Sequence, residues 1–344
     1  MTAKDMSRRT QAQRSTRPSF GRPSPKTIQQ AFEVWRETKA KESLALFLAG
    51  LRSPKADTCL AAMYALSAVG PYTREPLVKA LRDKASQQPA LRLLGDLGDP
   101  KAKPSINRLL DHPDFLLKSL ASRTVSRLEG LAEPEEAWGE RQIAVERQVP
   151  SLTTIVHGTW AEDEHWWRWP SDFPRYIDSI TGDFYKGESP FRWSGANTPE
   201  GRHEGAKKLI SWLKSHPAEK VTLLAHSQGG NVVFKATEIA AQGEIKIAKL
   251  VLLATPIRDD YEPNLSVIDI IHNIYSEDDT VQWLGTWTPG LENHARGDGR
   301  TLPDGPKIQN RRVRTKTDNP HSELHTAELW KRERLGGILQ PVVV

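Results

Sequence analysis

The stretch from Val221 to Val233, VTLLAHSQGGNVV, constrains this chain more than any other, because a short apolar run turns into a helix at a single serine, Ser227. Val221 to Ala225 reads as a strand buried on both faces, and Gly229 and Gly230 open an amphipathic stretch that continues through Lys235, Ala236 and Ile239. A strand that becomes a helix within so few residues strains the intervening backbone and lifts the serine hydroxyl clear of the sheet. It also demands small side chains where the two backbones nearly touch, and Ala225 and Gly229 occupy those places. The pattern is a one-residue variant of G-x-S-x-G, with Ala225 in place of the first glycine.

A serine hydroxyl is a weak nucleophile near neutral pH, so it needs an imidazole base, and the imidazole needs a carboxylate to fix its tautomer. After such a turn the acid and then the histidine are expected downstream, at the ends of later strands. Val267 to Tyr275 reads as a strand running into Ser276-Glu277-Asp278-Asp279-Thr280-Val281, and Arg312 to Thr315 as a shorter strand before Asn319-Pro320-His321-Ser322-Glu323-Leu324. The candidate catalytic residues are Ser227, Asp279 and His321, with Asp278 as the competing acid. Upstream, Leu152 to Val156 reads as the first confident strand and ends in His157-Gly158, a loop that presents a backbone N–H of Thr159 or Trp160 to a developing oxyanion. The N–H of Gln228 is the second expected donor. His157 is read as holding this loop, not as a base.

Residues from about 150 to 335 resemble the α/β-hydrolases, and more narrowly the lipase and serine-esterase branch related to the GPI-inositol deacylases. The resemblance rests on Ile155-Val156-His157-Gly158-Thr159-Trp160, similar to that family's HG oxyanion loop, on Phe191-Arg192-Trp193-Ser194-Gly195, on the serine turn, and on Tyr275 to Asp279 with His321 to Leu324, similar to its acid and histidine positions. It implies a mostly parallel sheet flanked by helices and hydrolysis of a carboxylic ester through an acyl-enzyme, without metal or cofactor. In the family's pattern a turn residue precedes the acid by three and a branched apolar residue follows it closely; Ser276 and Val281 fit Asp279, and Val281 alone also fits Asp278. Ala225 and the twin aspartates depart from the pattern.

Ten aromatic residues crowd the stretch from Trp160 to Trp193, and Trp160, Trp166 and Trp167 are the candidates for a wall against the acyl or leaving group. Thr198-Pro199 reads as the start of the next helix, and Lys249 to Ala254 as the strand whose end carries Thr255-Pro256 toward the serine turn. Strands alternating with helices in this way place a site at the carboxyl ends of a parallel sheet.

The first half has helical periodicity. Leu66, Gly70, Pro76 and Leu81 recur 28 positions later as Leu94, Gly98, Pro104 and Leu109, and Leu60, Ala61 and Gly70 recur as Leu120, Ala121 and Gly130. These resemble short HEAT-type repeats. Ser53-Pro54 and Asp99-Pro100 read as helix starts, and Gly70 and Gly130 as helix ends. A stack this small either binds a protein partner or covers the sheet, and both readings stay open. The expected organisation is a basic tail at 1–26, a helical repeat domain at 27–140 and the hydrolase at 141–344, joined through a polar linker with an early strand at Gln142 to Val145.

Net charge of +5 looks like a signal for an acidic partner, but Met1 to Lys26 alone carries +6, leaving the remainder near neutral. The helical half has no basic stripe with interleaved aromatics, which argues against nucleic acid. No apolar run approaches a membrane span, and one cysteine, Cys59, excludes an intramolecular disulfide, so a cytoplasmic protein is expected, with Cys59 a small core residue. The run His321-Ser322-Glu323-Leu324-His325 prompts a zinc reading that fails on spacing, because H-E-x-x-H needs glutamate directly after the first histidine. His325 is then a packing or solvent-facing residue. The alternatives to an esterase are an inactive hydrolase fold used for binding, and amide or thioester cleavage by the same residues.

Overall fold

Four apolar runs of the second half become strands of one parallel sheet, and a polar fifth strand completes it. β1 (Val149–Val156), β2 (Ala218–His226), β3 (Lys249–Leu253), β4 (Ile271–Tyr275) and, after a short antiparallel hairpin of β5 (Trp287–Thr288) and β6 (Glu292–Asn293), β7 (Ile308–Arg312) give the sheet order β1-β2-β3-β4-β7. The computed structural model describes residues 18–131, 148–241, 243 and 245–340. The strand expected at Gln142 to Val145, the boundary near 140 and most of the basic tail lie outside the described residues.

Interior strand β2 is flanked by β1 and β3, and its alternate side chains feed two cores. Val221, Leu223 and Ala225 pack with α9 (Pro199–Ser215) and α10 (Gln228–Ile239); Leu224 packs on the other face with α8 (Asp172–Thr181). After α8 the chain bridges at Phe184 to Thr153 on the outer side of β1, then returns through α9 to β2. That reversal puts α8 and α9 on opposite faces and opens a crevice at the carboxyl ends of β1 and β2, where ligands of such sheets sit. Two strand boundaries differ from the sequence reading. Val267 and Ile268 precede β4 and meet the sheet region through the isolated Ile247–Ile268 bridge, and β7 occupies Ile308–Arg312 instead of Arg312 to Thr315. Its polar residues disguise it, yet an edge strand tolerates them, and Asn310 accepts a 2.9 Å hydrogen bond from Asn273 Nδ2 of β4.

The first half is helical: α1 (Pro25–Thr38), α2 (Lys41–Gly50), α3 (Ala56–Val69), α4 (Arg74–Ala80), α5 (Gln87–Leu97), α6 (Lys103–Asn107) and α7 (Phe115–Leu128). Ser24 caps α1 in a reciprocal box with Thr27, with Pro25 at the first helical position, so the expected tail gives way to structure before Lys26. The 28-residue recurrence is a pair of helix pairs. In α3–α4 and α5–α6 the long helix ends at a glycine of positive φ, Gly70 and Gly98, and the short helix carries Pro76 or Pro104 near its start. Asp99 caps a single 3₁₀ turn at Pro100, whereas α3 begins at Ala56, later than Ser53-Pro54 suggests; the Ser53 hydroxyl accepts from Lys55 N instead of capping the helix. These helices do not keep a core to themselves. Phe32, Phe47, Tyr64 and Leu94 share one apolar cluster with Trp160, Val281, Leu284 and Trp287, and Phe32 meets Trp287 edge-on at 5.3 Å. Among the described residues no helix is long and apolar enough to cross a membrane.

Candidate active site

Ser227 sits between β2 and α10 with φ 53° and ψ −133°, a left-handed-side conformation that only enforced geometry imposes on serine. The enforcement comes from three glycines. A Cβ on Gly229 would lie 2.5 Å from the Val156 carbonyl, one on Gly230 2.3 Å from Thr255 Oγ1, and one on Gly158 2.8 Å from Ser227 Cβ. The close approach is therefore between the turn and the ends of neighbouring strands, and Thr255 packs against the turn from β3.

Asp279 and His321 meet here. Asp279 is the N-cap of α11 (Thr280–Leu284), where one carboxylate oxygen accepts from Gln282 N at 2.9 Å and the other lies 2.7 Å from His321 Nδ1. Both side chains are buried, whereas Asp278 is exposed and turned away. Burial by itself lowers the His321 pKa, but the charge and hydrogen bond of Asp279, with the charge of Asp57 added, leave it raised above its ordinary value. His321 stands in the short helix α12 (Pro320–Glu323), whose first N–H groups have no intrahelical acceptor. A carboxylate from the other half of the chain supplies one: Asp57 of α3 accepts from His321 N at 2.7 Å, Ser322 N at 3.2 Å and Ser322 Oγ at 2.6 Å.

The Ser227 hydroxyl lies 3.4 Å from the Tyr64 hydroxyl, also on α3, and among the described residues it makes no hydrogen bond to His321. Ser227 and His321 nevertheless line one cavity of about 410 Å³, with Gly158, Thr159, Trp160 and Trp166 on the sheet side and Leu51, Cys59, Leu60 and Met63 on the helical side. Of the expected oxyanion donors, the Trp160 N–H is committed to the Gly195 carbonyl at 2.8 Å, which removes it from that role. The N–H groups of Thr159 and of Gln228, first residue of α10, carry no hydrogen bond among the described residues. Trp160 keeps its place in the wall, its indole N–H held by Asp96 of α5 at 2.7 Å. Trp167 does not line the cavity; its ring is buried beside His157, centroids 4.7 Å apart, and its N–H is bonded to Ala161 O.

The remaining imidazoles are neutral supports. Burial lowers the His157 pKa to about 4, and its Nδ1 lies 2.9 Å from the Gly158 carbonyl within the loop that follows β1. Burial, then the nearby His321, lowers His325 to about 3, and its ring stacks on Trp166 at 3.7 Å. His226 is held well below its ordinary value by burial, then by His321, and its Nε2 lies 3.3 Å from the His321 carbonyl. Cys59 is half-buried, packed against the apolar cluster at the cavity wall, and burial raises its thiol to about 11.

Sequence reasoning missed Asp57 and Tyr64. The signal was present: α3 reads ADTCLAAMYALSAV, and Asp57, Tyr64 and Ser67 fall at i, i+7 and i+10, one stripe of polar groups along an otherwise apolar helix. No protein-family model matches this chain, and no curated protein matches it.

Proposed function

We propose that this chain is a serine hydrolase of the α/β-hydrolase type that cleaves carboxylic esters through an acyl-enzyme. The observation that carries the reading is the 2.7 Å Asp279–His321 pair, buried at the same cavity as a strained serine between strand and helix. Asp279 fixes the proton on Nδ1, so Nε2 is left free to accept one. In the first half-reaction Ser227 Oγ adds to the ester carbonyl, its proton passes to His321, and the negative charge on the carbonyl oxygen is met by the N–H groups of Thr159 and Gln228. His321 then protonates the departing alkoxide as the C–O bond breaks. Water repeats the sequence on the acyl-enzyme and releases the carboxylic acid, returning the proton to Ser227.

The apolar cavity wall of Leu51, Leu60 and Met63 suits an acyl chain, and the Trp160 and Trp166 side suits its ester end. In this reading the helix pairs, which we take as short HEAT-type repeats, serve as a fixed wall of the site. A second reading, a binding protein without catalysis, is favoured by one observation: Ser227 faces the Tyr64 hydroxyl in place of His321. Serine–histidine hydrogen bonds are often long in unliganded enzymes and tighten with substrate bound. Fluorophosphonate labelling separates the two. The esterase labels at Ser227 and turns over p-nitrophenyl esters; a protein that does neither is the binding protein.

A further inference from the structure

Tyr64 is buried, and its ring packs against Trp160 with centroids 4.9 Å apart. A phenylalanine would fill this space equally well, and a buried hydroxyl is costly unless it has partners. The partners it has are Thr159 Oγ1 at 2.9 Å and Ser227 Oγ at 3.4 Å. One belongs to the loop that supplies an oxyanion donor and the other is the nucleophile. Thr159 has a hydroxyl proton to give, so it can donate to the Tyr64 oxygen and leave the phenolic proton aimed at the serine side.

The contact to Ser227 is long for an O–H···O bond, and it joins two neutral groups. In the tetrahedral intermediate an oxygen carrying a full negative charge stands two bonds from Ser227 Oγ, on the carbon that the serine attacks. A hydrogen bond to an anion is shorter and roughly twice as strong as one between neutral groups. A donor that is weakly engaged in the free protein and strongly engaged in the intermediate lowers the barrier instead of tightening ground-state binding.

We propose that the Tyr64 hydroxyl is a third oxyanion donor, a catalytic residue that helix α3 delivers to the site alongside the N–H groups of Thr159 and Gln228. The inference rests on the serine-hydrolase reading. Burial raises the phenol pKa, against its hydrogen bonds to Ser227 and Thr159, so the proton to be donated is retained at neutral pH. The role also accounts for Thr159: its backbone N–H serves the oxyanion while its side chain orients Tyr64.

The test is Tyr64→Phe in the full chain, assayed on p-nitrophenyl butyrate and with a trifluoromethyl ketone that forms a tetrahedral adduct on the serine. The expected result is a kcat lower by on the order of 100-fold with KM within about threefold, and a comparable loss of affinity for the ketone. Thr159→Val, which keeps the backbone donor, is expected to lose less and to add nothing in the Tyr64→Phe background. A Tyr64→Phe protein within about threefold of wild-type kcat overturns the proposal. A lower kcat with unchanged ketone affinity overturns it too, since that marks a packing role. Wild-type protein that neither labels at Ser227 with fluorophosphonate nor hydrolyses the ester overturns the hydrolase reading itself, and this proposal with it.

Discussion

The contact between Asp57 and the His321 turn is the sharpest point at which the helices and the sheet can be separated experimentally. Asp57 is fully buried and takes three hydrogen bonds from two residues of α12, 264 and 265 positions away. A hydrogen bond to a charged group contributes about 1.5–3 kcal/mol, and a buried donor left unpaired costs about 1–3 kcal/mol. Ser322 is only part-buried, so its two groups recover hydration when the carboxylate is removed, and the relief of the buried charge of Asp57 offsets part of the loss. Asp57→Ala is therefore expected to destabilise by about 3 kcal/mol, and Asp57→Asn, which retains one acceptor, by about 1–2 kcal/mol. Urea denaturation followed by circular dichroism and by tryptophan fluorescence measures both. If the two probes move together the helices and sheet unfold as one unit; an Asp57→Ala protein within about 0.5 kcal/mol of wild type would refute the reasoning.

The same substitution has a kinetic signature. The His321 pKa is raised because the pull of Asp279, helped by Asp57, outweighs the effect of burial, with neutral His226 and His325 the other imidazoles beside it. The base must be unprotonated, so kcat/KM is expected to fall as pH drops through a value above 6.5, and Asp57→Asn to move that limb to lower pH. Ser227→Ala is expected to abolish ester turnover and fluorophosphonate labelling with the fold retained by circular dichroism; persistent labelling rejects the nucleophile. Asp279→Asn is expected to lower kcat by about 10⁴-fold and Asp278→Asn to stay within about tenfold; parallel kinetics showing the reverse would move the acid one residue back. Leu60→Trp, which fills the helical wall, is expected to reduce kcat/KM on p-nitrophenyl octanoate by roughly tenfold or more while sparing the acetate, and equal losses on both would place the acyl chain elsewhere.

What the sequence displays and what it hides divide along chain distance. The serine turn is legible because its requirements are local: an apolar run, small residues and a helix start within a dozen positions. Asp279 and His321 are legible in part, since the ends of later strands can be located by their apolar runs, although choosing Asp279 over Asp278 needs the N-cap geometry that turns one side chain inward and the other to solvent. The polar edge strand β7 and the burial of Trp167 depend on which neighbour each residue finds. Periodicity gives no such information, and the same is true of the Trp160 N–H, whose capture by Gly195 is a meeting of two loops.

Whether the helices serve a partner or cover the sheet is a question that composition leaves open, and α3 gives it a physical form. Its buried stripe meets the sheet region at four separate points: Asp57 at the His321 turn, Tyr64 at Thr159 and Ser227, Ser67 with Asn197 Nδ2 at 3.2 Å, and Ala68 O with Gly290 N at 3.2 Å. Around it, Arg92 of α5 and Arg123 of α7 converge with Arg192 on Asp163, beside the loop that follows β1. A module that only docks a partner has no reason to place a buried aspartate and a buried phenol against the His321 turn and Ser227, since each is costly unless paired. Deleting Met1 to Gly130 strips those partners away and exposes the apolar side of Trp160, Val281, Leu284 and Trp287. The remaining fragment is expected to be insoluble, or soluble with at most about one hundredth of the ester turnover, the loss that follows if Tyr64 is the proposed oxyanion donor and Asp57 the anchor of the His321 turn. A soluble fragment of undiminished kcat, measured on p-nitrophenyl butyrate beside the full chain, would make the helices a separate module after all.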